Sequence, residues 1–259
     1  MEVRLDGRSA IITGASMGLG LAMAKEFAAS GADVAILARR PEVLEQAKAT
    51  CEATAKGGRV ATFACDVAKA DDINRTFDGV VKAFGKVDIL VNNAGQSMAM
   101  PSEQITDEIW QQDLDLKLFA AIRLSRLVWP GMKERKWGRI INILNVGAKA
   151  PRANSAPTSV SRAAGMAFTK VLSGEGAPHN VLVNALLVGL IEADQHVQAA
   201  KKKGIPLADH IAAMTKDVPM GRIGRAEEFA NMACFLASDA GSYVTGTAIN
   251  IDGGRSPVV

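Results

Sequence analysis

Cysteine, histidine and tyrosine are scarce in this sequence, and each shortage narrows what the chain can do. The three cysteines, Cys51, Cys65 and Cys234, are odd in number and far apart. That pattern suits a reducing compartment and matches no metal-ligand spacing. With only three histidines, also scattered, no metal site is expected. The one tyrosine, Tyr243, lies near the C-terminal end. Long apolar runs are missing as well. The opening "MEVRLDGRSA" holds none of signal-peptide length, which argues against secretion by that route. "VLVNALLVGLI" is interrupted by Asn184 and Gly189 and reads as a buried strand and its exit, not a membrane span. The expectation is a cytoplasmic protein with no membrane partner. A formal charge of +3 is too small to imply nucleic acid.

What is present is ordinary soluble composition, with 48% hydrophobic and 22% charged residues. A chain of 259 residues fits one large α/β domain with a substantial core. Short apolar runs mark seven candidate strands: Ser9 to Thr13, Val34 to Ala38, Arg59 to Cys65, Val87 to Asn93, Arg139 to Leu144, Val181 to Leu187 and Ala248 to Ile251. The earlier runs are apolar throughout, as strands covered on both faces are. Between them lie amphipathic stretches such as "DDINRTFDGVVKAFG". Strand and helix alternating in this way predict a doubly wound parallel sheet with helices on both faces. No linker or repeat divides the chain, so residues 1–259 form a single α/β domain in this reading.

After the first strand comes "TGASMGLG", Thr13 to Gly20. Glycines in such a turn let backbone amides approach a pyrophosphate, and the helix that follows offers unpaired N–H groups to phosphate. The alternative is a purely structural turn; the position between strand and helix favours a nucleotide. After the second strand, "ARRPE" supplies Arg39 and Arg40 where a free ribose 2′-hydroxyl would call for an acidic residue. Two arginines suit a 2′-phosphate, so NADP(H) is preferred over NAD(H). The competing reading is a pair of solvated arginines.

"TGASMGLG", "CDV" at Cys65 to Val67, "NNAG" at Asn92 to Gly95 and the tail "GRIGRAEEFANMACFLASDAGSYVTGTAINIDGG" together resemble the classical short-chain dehydrogenase/reductase family. The resemblance runs over nearly the whole chain in the right order. It implies a single Rossmann domain with a seven-stranded sheet, a nucleotide along the C-terminal edge of the strands, and a homo-oligomer, dimer or tetramer. Carried over by position, Gly14, Ser16, Gly18, Leu19 and Gly20 line the phosphates. Asp66 and Val67 meet the adenine, and Asn92, Ala94 and Gly95 border the ribose and nicotinamide. For the last two motifs, a helix cap and a strand-end turn are the structural alternatives.

The reactive end departs from that family. Its chemistry uses a tyrosine acid/base, a lysine four residues later, a serine thirteen before the tyrosine and an asparagine further upstream. Alignment on "GRIINILNVGA" and "TSVSRAAGMAF" puts Asn145 at the serine, Thr158 at the tyrosine and Arg162 at the lysine, and "WQQDLDLKLFAA" puts Lys117 at the asparagine. No shift of register rescues the tyrosine, because Tyr243 belongs to the C-terminal motif. A threonine hydroxyl is shorter than a phenol and a far weaker acid. Arginine forks onto ribose hydroxyls but does not relay a proton as lysine does. Asn145 retains an amide hydrogen bond for a carbonyl. Lys117 has two readings: a titratable ammonium desolvated beside Arg162, or a solvated or salt-bridged helix lysine paired with Asp113 or Asp115. Drift is the plain alternative for Thr158 and Asn145.

After the sixth strand the family shows proline, glycine and then a threonine; here "LLVGLIEAD" keeps Gly189 but has Val188 and Ala193 for the other two. Ile191 is positioned to offer its backbone to the carboxamide. A substrate lid is expected around residues 190–218. Within it, Lys201 to Lys203 either attract an anionic small molecule, such as an acyl thioester or carboxylate, or end a helix in solvent, the simpler reading. His196 and His210 are lid residues within reach of a substrate, and "KERKWGR" reads as a surface turn. Three functions fit: a redox enzyme moving hydride between NADP(H) and a carbonyl or alcohol, a nucleotide-binding pseudoenzyme acting as sensor or partner subunit, and a nonredox enzyme on the same fold. The family's base rate favours the oxidoreductase.

Overall fold

The computed structural model describes residues 3–259, the side chains at 194, 195 and 198 excepted. Residues 1 and 2, part of the segment read as lacking a signal peptide, lie outside the described residues, as do those three side chains of the expected lid. Seven strands, β1 (Ser9–Thr13), β2 (Asp33–Ala38), β3 (Val60–Ala64), β4 (Ile89–Asn92), β5 (Gly138–Asn145), β6 (Val181–Val188) and β7 (Ala248–Ile251), form one sheet in the order β3-β2-β1-β4-β5-β6-β7. Every neighbouring pair is parallel. The order reverses between β1 and β4, the point where a doubly wound sheet opens a crevice for a ligand.

Side chains alternate across this sheet, so consecutive residues enter different cores. In β1, Ile12 belongs to the core cluster that holds Phe27, Leu44 and Phe229 on one face, while Ile11 belongs to the one that holds Val80 and Leu124 on the other. The first face is covered by α1 (Gly18–Ala29), α2 (Pro41–Glu52) and α9 (Ala226–Ala237). The second is covered by α3 (Ala70–Phe84), α5 (Ala120–Glu134) and α6 (Thr158–Gly176). Both faces being buried explains the unbroken apolar runs in the sequence. The remaining helices are α4 (Asp107–Leu114), α7 (Asp194–Lys203) and α8 (Leu207–Thr215).

Strand ends differ from the sequence-based boundaries by one or two residues, and two of these differences bear on the site's surroundings. β4 begins at Ile89, not Val87, and the Asp88 carboxylate just before it is buried, paired with Lys86 and Arg135 and accepting from the Ser9 backbone N–H. β5 and β6 each run to one residue past the expected end, pairing Asn145 with Val188. That extension carries Asn145 to the C-terminal rim of the sheet.

Candidate active site

The turn after β1 has the geometry of an anion cradle. Gly14 (φ +63) and Gly18 (φ +55) hold left-handed backbone, and a side chain at Gly18 would meet nothing within 4 Å. At Gly20, by contrast, a Cβ would lie 2.3 Å from the Gly14 carbonyl oxygen, so only glycine lets helix and turn close together. The Met17 cap makes no side-chain hydrogen bond to the first turn of α1, and that turn carries no acidic residue. Its amides therefore face the crevice unclaimed by a side chain, as a phosphate requires. The Asn93 amide ties the turn to the end of β4 by donating to the carbonyls of Thr13 (2.8 Å) and Gly14 (3.1 Å).

Two cavities meet at this turn. One runs from Gly14 and Ser16 to the exposed Arg39 and Arg40 on one side and Asp66 and Val67 on the other. The second is lined by Gly18, Leu19, Gly20, Asn145, Thr158, Arg162 and Gly189. Gly14, Met17, Ala94, Gly95 and Gln96 border both, so the pair makes one elongated crevice along the sheet edge. Asp66 also serves locally, its carboxylate accepting from the Ala68 N–H at 3.2 Å.

The reactive end is built by the first turns of α6 against β5. Thr158 is the first residue of that helix, and Arg162 lies one turn on, the spacing that puts both on one face. The Arg162 guanidinium donates from Nη1 to the Ile143 carbonyl at 2.7 Å, while its buried Nε has no partner. Gly95 leaves room for it, since a Cβ there would fall 2.5 Å from Arg162 Nη2. Burial pushes the Arg162 pKa down to about 10, partly offset by Asp113. Asn145 Oδ1 is likewise buried and unpartnered. Orphaned buried polar atoms are costly, and these two belong to residues that line one cavity.

Lys117 is not on the cavity wall. It sits in a π-helical turn, Asp115–Phe119, with its side chain 1% exposed, and forms a buried ion pair with Asp113 of α4. Its ammonium also donates to Thr158 Oγ1 at 2.9 Å. Asp113 accepts from Ser161 Oγ at 2.6 Å as well. Burial pushes the Lys117 pKa below its usual value; Asp113 raises it again, and Arg162 lowers it. Of the two readings of Lys117, the salt bridge to Asp113 is real, but it is buried behind Thr158 rather than solvated.

Other sequence-selected residues fall elsewhere. Asn92 turns into the sheet, its amide donating to Asn142 Oδ1 at 2.8 Å; its neighbour Asn93 reaches the crevice instead. The Ile191 side chain belongs to a separate cavity shared with Met220 and Asp252, and its carbonyl accepts from His196 Nε2 at 3.0 Å. His210 is buried, with its ring 6.4 Å from that of His196. Lys201 to Lys203 form the exposed last turn of α7, where cations complement the helix dipole. Among the described residues no cluster of three or more metal-ligating side chains occurs, and no helix is long and apolar enough to cross a membrane.

Comparison with known proteins gives concordant matches. The family profile described as enoyl-(acyl carrier protein) reductase matches residues 14–256. A 3β-hydroxysteroid dehydrogenase from Eggerthella lenta is 37% identical over 254 residues, covering 97% of this chain and 95% of that protein. The structure of L-sorbose reductase from Gluconobacter frateurii, complexed with NADPH and L-sorbose, superposes with a TM-score of 0.95 at 33% identity, covering 100% of both chains. An NADPH-bound short-chain oxidoreductase from Pseudomonas aeruginosa PAO1, described as containing an atypical catalytic center, superposes at 0.92 with 32% identity over 99% of each chain.

Proposed function

This chain belongs to the short-chain dehydrogenase/reductase family, and on that premise we propose that it is an NADP(H)-dependent oxidoreductase interconverting a small-molecule carbonyl and alcohol with non-standard reactive residues. The observation that carries this reading is the continuous crevice, which joins a glycine cradle and two arginines at one end to Thr158, Asn145 and Arg162 at the other. Similarity to NADPH-bound proteins, one with an atypical center, supports it. The unclaimed amides of α1 hold the pyrophosphate, Asp66 and Val67 flank the adenine, and Arg162 forks onto the nicotinamide ribose. Bound there, the reduced nicotinamide supplies a hydride to the carbonyl carbon. Asn145 meets the reacting oxygen, its amide donating to a carbonyl or accepting from the alcohol. Residues 190–218 serve as the lid over that end, and the active form is a homo-oligomer.

The test is NADPH oxidation against L-sorbose, acetoacetyl-CoA and a 3-ketosteroid, alongside fluorescence titration of the cofactor. Turnover of any of them establishes the reaction class. Tight NADPH binding with no turnover of a broadened carbonyl panel would identify a nucleotide-binding protein without this activity.

Cofactor choice gives a second expected result. Charge-assisted hydrogen bonds to a 2′-phosphate are worth about 1.5–3 kcal/mol, so NADPH binds more than about tenfold tighter than NADH. Arg39→Ala lowers NADPH affinity about tenfold and leaves NADH unchanged. Equal affinities in the wild-type protein would remove the assignment of Arg39 and Arg40.

A further inference from the structure

We propose that Thr158 is the proton-transfer group of this site at one remove: its hydroxyl gives a proton to the substrate oxygen and takes one from Lys117, which Asp113 holds in position. The proposal rests on the oxidoreductase reading above. A hydroxyl has two acceptor lone pairs and one proton. Thr158 Oγ1 accepts from Lys117 Nζ and from the Met98 backbone N–H, each at 2.9 Å. With both lone pairs engaged, the hydroxyl proton is what remains, and it has no acceptor among the described residues. Thr158 lines the cavity with Asn145 and Arg162, where a substrate oxygen would supply that acceptor.

Acidity explains why the second member is needed. Threonine alone is too weak an acid to protonate a developing alkoxide. A lysine ammonium, however, has an ordinary pKa near 10, about that of a tyrosine phenol. Lys117 is screened from the cavity by Thr158, so its proton reaches the substrate only through the hydroxyl. In reduction the carbonyl carbon gains the hydride and the C=O π pair moves to oxygen. That oxygen takes the Thr158 proton while Thr158 Oγ1 takes one from Lys117 Nζ, leaving a neutral amine beside Asp113. Water entering after the alcohol leaves restores the proton along the same hydroxyl. One carbonyl, one hydride and one proton thus give one alcohol.

Asp113 is the positioning residue. Its carboxylate spans Lys117 and Ser161, so it fixes the ammonium against Thr158 and stabilises its charged form. The charged groups facing Lys117 are Asp113 from α4 and Arg162 from α6; Asp115, in its own turn, is paired with Arg123 at 3.0 Å. Reduction needs the charged ammonium, so the rate falls as pH rises through the Lys117 pKa. Asp113→Asn removes the group that raises this pKa and moves the falling limb to lower pH.

Two measurements test the relay. In 15N NMR of selectively lysine-labelled, cofactor-free protein, Asp113→Asn is expected to shift the Lys117 titration to lower pH. In steady-state reduction of the fastest carbonyl from the screen, Thr158→Val and Lys117→Met each lower kcat by about 10²–10⁴-fold, the usual worth of general acid catalysis. NADPH affinity stays near wild type in both, and Thr158→Ser recovers most of the rate lost in Thr158→Val. A Lys117 titration indifferent to Asp113→Asn, or Thr158→Val turning over like wild type with the same pH limb, overturns the relay. Absence of any turnover in the wild-type protein overturns the oxidoreductase reading instead, a result the variants alone cannot produce.

Discussion

Asp113→Ala is expected to destabilise the fold by about 3–5 kcal/mol, the usual cost of removing one partner from a buried ion pair. Lys117 and Asp113 have side chains 1% and 0% exposed, so neither charge recovers solvation when its partner is lost. Only Thr158 would still accept from the Lys117 ammonium. Replacing both members with apolar residues of similar size, Asp113→Leu with Lys117→Met, should restore most of the loss, because the desolvation penalty disappears with the charges. Urea denaturation of the wild type, Asp113→Leu, Lys117→Met and the double variant forms the cycle that measures this coupling. The pH dependence has a definite sign. In Asp113→Ala the folded-state pKa of Lys117 lies still further below the usual 10.5, so the folded state binds fewer protons in that window than the unfolded one. Stability of the variant relative to wild type therefore recovers as pH rises through the variant's lowered Lys117 pKa to that of the wild type, itself below 10.5. Single variants within about 0.5 kcal/mol of wild type would place the pair among surface ion pairs instead.

The parts of this molecule that could be read in advance are those in which one local pattern has one physical cause. Ile11 and Ile12 sit side by side in an apolar run because β1 is covered on both faces, and that run needs no tertiary knowledge to be read as a buried strand. The glycines at 14, 18 and 20 are legible for the same reason, each answering a backbone or clearance demand that follows from strand-turn-helix. Asn92 and Asn93 were not separable: one residue's difference at a strand end decides which faces the sheet and which the crevice. Asp113 and Lys117 are four apart, a spacing shared with every solvated helix pair. What buries them is the packing of α4 and the π turn beneath α6, and the extra residue in that turn leaves no mark on hydrophobic periodicity. The position of Lys117 behind Thr158 comes from two elements 41 residues apart in sequence, a relation no local pattern carries.

Arg162→Ala is expected to weaken NADPH binding by about 10–100-fold, the equivalent of one or two charge-assisted hydrogen bonds. The guanidinium spends Nη1 on the Ile143 carbonyl, which fixes its plane, and leaves Nε buried without a partner. Gly95 clears the approach of Nη2. Arg162→Lys should recover only part of the affinity, because an ammonium cannot keep the Ile143 bond and fork onto two hydroxyls together. The same substitution distinguishes a ribose clamp from a packing role. Arg162 lowers the pKa of Lys117, whereas Asp113 raises it. Arg162→Ala must therefore move the falling limb of the pH profile up, opposite to the shift expected for Asp113→Asn. Weakened NADPH binding together with that upward shift fits a cation that serves both cofactor and relay. Wild-type affinity in Arg162→Ala would take the ribose away from this residue, and a limb that moves in the same direction for both variants would mean that neither charge acts on Lys117 directly.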